Sequence, residues 1–212
     1  MPQTQPSIQL QNLTKKYNEQ IIFQHLNYCW EGYGIFVLSG ANGAGKSTLL
    51  QIIVGMDVQY SGQVLINGNL FDLNQIAEFI SFVPDVMVAY PFITGRDFLA
   101  FIASVRGVEM AKADTLIHVF NISQFLDTRF DAMSFGTAKK FMLISAFMSD
   151  TPILVFDEPT HGLDVHSLHV LQTLLTEAAQ QKLILMTCHD VHLQQQLQAK
   201  HIDIHDLVGE TA

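Results

Sequence analysis

Cysteine is scarce in this 212-residue chain, with only Cys29 and Cys188. Both lie in apolar, strand-like surroundings. Nothing favours a disulfide, and the expectation is two free, reduced thiols, consistent with the cytosol. Basic residues are few as well: 11 Lys and Arg against 20 Asp and Glu, a formal net charge of -9. Broad binding to a phosphate backbone needs a basic face, so no nucleic-acid partner is expected. Long apolar runs are missing. Stretches such as Phe141-Met142-Leu143-Ile144 fall far short of the ~18 residues of a membrane-spanning helix. The opening Met1-Pro2-Gln3-Thr4-Gln5-Pro6 has no basic start and no apolar stretch, so no secretion signal is expected. There is no internal repeat and no low-complexity tract; the polar Gln194-Gln195-Gln196 is too short to indicate disorder. Against these absences, 49% of residues are hydrophobic and mean hydropathy is +0.23. That is apolar for a chain without a span, and it reserves some apolar surface for a partner. The length fits one large domain, or a core with a small insert.

What is present begins with Gly40-Ala41-Asn42-Gly43-Ala44-Gly45-Lys46-Ser47-Thr48, which matches the phosphate-binding pattern G-x-x-x-x-G-K-[ST]. Gly34-Ile35-Phe36-Val37-Leu38-Ser39 ahead of it reads as a buried strand, and Leu49-Leu50-Gln51-Ile52-Ile53-Val54 behind it fits a helix. A strand, a glycine turn and a helix N-terminus make an anion site whose backbone N–H groups cradle phosphate oxygens. The lysine adds a point charge for the outer phosphates, and the Ser47 hydroxyl can bind Mg²⁺. The pattern arises by chance in on the order of one chain per hundred of this length; the strand–turn–helix context makes an ordinary turn a poor account of it.

Ile8-Gln9-Leu10-Gln11-Asn12-Leu13 alternates as a half-exposed strand does, and Ile21-Ile22-Phe23 and Val64-Leu65-Ile66 read as further strands. From Pro84 the character changes. Phe98, Phe101, Ile102 and Val105 follow helical spacing, Leu116, Ile117 and Phe120 continue it, and residues 138–148 form a third helical stretch. Ile153-Leu154-Val155-Phe156 returns to a buried strand. Leu168, Leu171, Leu174 and Leu175 mark a helix, and Leu183-Ile184-Leu185-Met186 a strand. The expected fold class is α/β: a P-loop NTPase core with a mostly parallel sheet and N-terminal antiparallel strands, plus an inserted helical subdomain. Residues 1–84 and 151–212 are assigned to the core and 85–150 to the helical section.

Asp157-Glu158 follows the strand at 153–156 directly, which places both carboxylates at the C-terminal edge of the sheet. Beside a phosphate loop, Asp157 is expected to hold Mg²⁺ and Glu158 to orient or deprotonate the attacking water. His189 closes the next strand and can reach the same edge.

Together these residues resemble the ATP-binding cassette ATPases over essentially the whole chain. Tyr17 matches the aromatic that stacks on adenine, and 40–48 the first nucleotide motif. Met133-Ser134-Phe135-Gly136-Thr137 stands in place of the family signature LSGGQ, and Phe156-Asp157-Glu158-Pro159-Thr160 matches the second nucleotide motif. Gly162-Leu163-Asp164 matches the loop that crosses a dimer interface, and His189 the switch histidine. The resemblance implies two cassettes, as a homodimer or a heterodimer, sandwiching two ATP molecules. Each ATP would meet the phosphate loop of one subunit and Ser134, Phe135, Gly136, Thr137 and Asp164 of the other. It further implies an ATP-hydrolysing subunit, cytoplasmic and peripheral on the inner face of the cell membrane. A separate transmembrane permease subunit would complete it, most similar to export systems. The runner-up is a soluble cassette ATPase acting on ribosomes or nucleic acid.

Two motifs depart from the family pattern. Val83-Pro84-Asp85 puts Asp where the family carries Gln; a carboxylate accepts but cannot donate, and Asp85 is expected to contact Mg²⁺ through water. Phe135 and Thr137 replace Gly and Gln in the signature. Either the Phe135 ring turns aside, or it hinders the close approach that glycine permits; the expectation is a competent but slow site. Among the nine histidines, His161, His166 and His169 cluster and His201 and His205 have i, i+4 spacing. No cysteine or third ligand joins either group, and solvated or capping histidines are expected. The apolar segment 86–93 reads in part as packing and in part as a docking groove for a membrane subunit.

Overall fold

The computed structural model describes residues 5–70, 75–86 and 91–207. Two sheets carry the fold. Strands β1 (Ser7–Tyr17), β2 (Gln20–Glu31), β4 (Ser61–Ile66) and β5 (Asn69–Leu70) form an antiparallel sheet in the order β2-β1-β4-β5. Strands β3 (Gly34–Ser39), β6 (Ile80–Val83), β7 (Ile153–Phe156), β8 (Leu183–Met186) and β9 (Lys200–Asp203) form a parallel sheet in the order β6-β7-β8-β3-β9. Helix α1 (Lys46–Ile53) follows β3, and a one-turn helix α2 (Ile76–Phe79) precedes β6. Helices α3 (Gly95–Arg106), α4 (Ala111–Val119) and α5 (Phe135–Phe147) lie in the chain between β6 and β7. Helices α6 (Val165–Ala178) and α7 (Val191–Gln196) flank β8. The α/β class and the division into parallel and antiparallel strands follow the sequence pattern.

Strands β7 and β8 are apolar at every position because both faces are covered. Leu154, Phe156, Ile184, Met186, Ile35 and Val37 join Leu99, Ile117, Phe141 and Leu171 of the helices in one core. The alternate residues Ile153, Val155, Leu183, Leu185, Phe36 and Leu38 join α1 and the antiparallel sheet in a second core. The sheet is therefore a rigid wall between two packed layers, and its C-terminal edge is a fixed platform.

Several sequence expectations need correction. Strand β2 runs for 12 residues, beyond the three apolar residues that announced it. Strands β6 and β9 carried no recognised signal. Because β9 includes His201, and His205 sits in a short 3₁₀ turn, these two residues share no helix face. Cys188 is buried, but Cys29 lies on the solvent side of β2. Of the apolar segment 86–93, residues 87–90 lie outside the described residues; Val86 and Phe92 are exposed.

Candidate nucleotide site

The loop after β3 owes its shape to glycine. Gly40, Gly43 and Gly45 have φ of 138°, 81° and 94°, a region that side chains rarely adopt. Two of them are also close-packed: a Cβ on Gly45 would stand 2.5 Å from Ile22 Cγ2, and one on Gly40 2.8 Å from Ile204 Cγ2. Gly45 then opens α1 with no side-chain cap and no acidic residue in the first turn. The first-turn N–H groups of that helix, which have no intrahelical acceptor, are left to a ligand. Lys46 Nζ donates to the carbonyls of Gly40 (2.8 Å) and Ala41 (3.0 Å), bracing the loop from within.

The loop faces a cavity of about 370 Å³. Asn42, Gly43, Lys46, Ser47 and Thr48 line one side; Asp85, Asp157, Glu158 and His189 line the other. The topology accounts for this. β8 lies beside β3, β7 beside β8 and β6 beside β7, all parallel. His189, Asp157-Glu158 and Asp85 follow the ends of three consecutive strands, so all emerge at the edge from which the phosphate loop leaves.

Asp157 is buried, and its N–H donates to the Val83 carbonyl. Its Oδ1 accepts from the Thr187 hydroxyl at 2.6 Å, and the same hydroxyl accepts from the Glu158 N–H at 2.9 Å. Glu158 needs that hold, since its φ is +45°, in the left-handed region that costs a non-glycine residue free energy. His189 Nε2 stands 3.3 Å from Glu158 Oε1. Sequence reasoning missed Thr187, although its place two residues before His189 at a strand end was a usable signal. It also missed Lys139. This lysine is buried on α5 and donates to the carbonyls of Pro84 (2.8 Å), Asp85 (3.2 Å) and Asp157 (3.2 Å). Burial pulls its ammonium down to about 8, against the opposing pull of Asp85, Asp157 and Glu158.

Ser47, Asp85 and Asp157 meet at this one cavity. Among the described residues no three His, Cys, Asp or Glu side chains form a metal-holding group by themselves. A hydroxyl and two carboxylates do suit Mg²⁺, which keeps waters and completes its shell with substrate phosphates.

The remaining expected residues lie apart. Ser134 caps α5, accepting from the Thr137 N–H, and the two hydroxyls are 2.9 Å apart. A Cβ on Gly136 would come within 2.3 Å of the Gly162 carbonyl oxygen, so the signature turn is packed on the 160s loop of its own chain. The Phe135 ring rests there too, 4.9 Å from the His161 ring. His161 Nδ1 in turn lies 2.7 Å from Asp85 Oδ1. Asp164 caps α6 through the Ser167 N–H and pairs with Lys140 at 2.7 Å. Lys140 and Ser167 together hold its carboxyl well below the usual carboxylate range. Tyr17 lies outside the cavity, half exposed. Its hydroxyl donates to Asp57 Oδ2, and Lys15 Nζ sits 4.3 Å from its ring centroid. The His166 Nε2 lies 2.9 Å from the Val119 carbonyl oxygen at the end of α4.

Known proteins resemble this chain in sequence and in fold. The profile of the family described as ABC transporter matches residues 23–161; Tyr17, Asp164 and His189 lie outside that stretch. The chain is 24% identical over 188 residues to the cytochrome c biogenesis ATP-binding export protein CcmA of Reclinomonas americana, covering 86% of this chain and 85% of the relative. It is 28% identical over 195 residues to the zinc import ATP-binding protein ZnuC of Haemophilus influenzae, covering 89% and 68%. A solved structure of an ATP-binding subunit of an ABC transporter superposes with a TM-score of 0.80 at 24% identity, over 94% of this chain and 86% of that one.

Proposed function

Because this chain belongs to the ABC transporter family, whose ATP-binding domains hydrolyse ATP in transporters, we propose that it binds MgATP and hydrolyses it between two cassettes packed head to tail. One observation carries the reading: four acid–base groups from three adjacent strand ends face the phosphate loop across a single cavity. The uncapped N-terminus of α1 and Lys46 bind the phosphates. Glu158 accepts a proton from the attacking water or aligns it, and His189, within reach of Glu158, marks where the γ-phosphate stands. Asp157 and Ser47 would hold Mg²⁺, and Asp85 would accept from a water on it. When bound, the ion neutralises charge on the phosphate oxygens. Tyr17 offers its ring to adenine. Ser134, Phe135, Gly136, Thr137 and Asp164 meet the nucleotide of the second cassette.

A separate membrane subunit fits the exposed apolar side chains Val86, Phe92, Phe101 and Val105, since exposed apolar patches mark interaction sites. Among the described residues no helix is long and apolar enough to cross a membrane. The proposed location is cytoplasmic, on the inner face of the membrane. Glu158→Gln tests the chemistry. Turnover should fall about 10²–10³-fold, with ATP binding retained and an ATP-bound dimer appearing on gel filtration. Normal turnover would remove Glu158 from the base role, and a monomer in ATP would sink the sandwich.

A further inference from the structure

Two of the positions that depart from the family pattern, Asp85 and Phe135, touch the same imidazole. We propose that His161 is a positioning residue for Asp85: its ring fixes one carboxylate oxygen at the rim of the nucleotide cavity, and Phe135 seats the ring for that task. The proposal rests on the nucleotide-site reading above.

Asp85 stands two residues beyond β6, in a stretch without regular structure. Its backbone is already tied, because Lys139 Nζ donates to its carbonyl. Its side chain is tied by His161 alone among the hydrogen bonds of the described residues, Nδ1 to Oδ1 at 2.7 Å. A carboxylate only accepts, so Nδ1 is the nitrogen that carries the proton. With Oδ1 engaged, the second oxygen is the one left for a water on Mg²⁺. Holding the side chain in one rotamer removes an entropy cost from that contact.

The imidazole is itself held. The His161 backbone N–H donates to the Glu158 carbonyl, so the turn that carries the proposed base also carries the residue that clamps Asp85. Phe135 lies against it with ring planes 53° apart. The seat for Phe135 exists only because residue 162 is glycine: its φ is +77°, and a Cβ there would lie 2.4 Å from Phe135 Cδ1. A glycine at position 135 would remove the ring contact. An amide at position 85 would no longer dictate which imidazole nitrogen donates. The two departures are thus one adaptation, made within a single chain.

The experiment measures affinity for a fluorescent ATP analogue in Mg²⁺ and in EDTA, on the full chain. His161→Ala should cut the Mg²⁺-dependent gain about fivefold, the size of one charge-assisted hydrogen bond partly replaced by water. Affinity in EDTA should stay within about twofold of wild type on the same grounds. Asp85→Asn should lose a similar amount, and the double variant no more than the larger single loss. His161→Asn, which keeps an N–H on a short side chain, should recover most of the gain. An unchanged gain in His161→Ala, or losses that add in the double variant, overturns the proposal. A wild-type chain that binds no nucleotide overturns the nucleotide-site reading, and this proposal with it. Should His161→Ala melt early, the histidine-labelled wild type decides by nitrogen NMR. A proton on Nδ1 of His161 in metal-free protein supports the pair, and a proton on Nε2 alone overturns it.

Discussion

At Gly43 of the phosphate loop a Cβ would meet nothing within 4 Å, whereas at Gly136 of the signature turn it would come within 2.3 Å of the Gly162 carbonyl oxygen. The helices that follow differ in the same sense. α1 begins without a side-chain cap, while α5 and α6 are capped by Ser134 and Asp164. At Gly43 and the start of α1 the phosphate loop keeps space and N–H groups open, though Gly40 and Gly45 are packed; the signature turn is closed on its own chain. A side chain that faces the open space can be altered with little effect on folding and a large effect on binding. A residue packed in the closed turn cannot be altered without a cost to folding.

The sharpest contrast comes from two substitutions. Lys46→Ala removes an ammonium whose hydrogen-bond partners among the described residues are the Gly40 and Ala41 carbonyls. ATP turnover should fall at least about 100-fold, as for other preorganised phosphate contacts, with melting nearly unchanged. Gly136→Ala drives a methyl into backbone at the closed turn. It should cost about 2–3 kcal/mol of stability in chemical denaturation. A destabilised Lys46→Ala, or a Gly136→Ala that melts normally, would erase the distinction.

Lys139 joins the two regions, reaching from α5 to the strand-end carbonyls. Lys139→Met would leave the carbonyls of Pro84, Asp85 and Asp157 without this donor, at a cost of about 1–3 kcal/mol. The pH dependence has a definite sign. The folded value near 8 lies below the ordinary 10.5, so between these values the unfolded chain binds more protons. Wild-type stability should then gain on that of Lys139→Met as pH rises through this window. Denaturation midpoints at pH 7 and pH 9.5 measure it, and a gap that shrinks with pH would contradict the buried-lysine account.

The motifs were legible because each is a contiguous run whose chemistry is local: a glycine turn and two carboxylates after a strand. What escaped is tertiary. Lys139 reads as one more polar residue on an apolar helix, and only the fold shows three carbonyls around it. Asp85 and His161 are 76 positions apart, and no spacing rule joins them. The length of β2 was hidden for a different reason. Its buried residues Phe23, Leu26 and Trp30 are three and four apart, which mimics a helix. The alternation breaks because the β1–β2 register shifts between Leu13 and Lys15 and His25 sits at φ +56°. Short strands such as β9 were lost because four residues give too little period to read.

The smallest effect tests the outer edge of the closed region. Asp164 does two things, capping α6 and pairing with Lys140. Asp164→Asn keeps an effective cap and removes only the ion pair, whose aspartate is more than half exposed. The loss at pH 7 should therefore be about 0.5 kcal/mol. Because the folded carboxyl is held below its ordinary value, the contribution is present above the ordinary carboxylate range and fades as pH falls through the folded value. Thermal melts of wild type and Asp164→Asn should converge as pH drops from 7 toward 3, and should also converge in 1 M salt. If the gap survived both, the α6 cap rather than Lys140 would be the source of the stabilisation, and the closed turn would end at Gly162 instead of reaching α6.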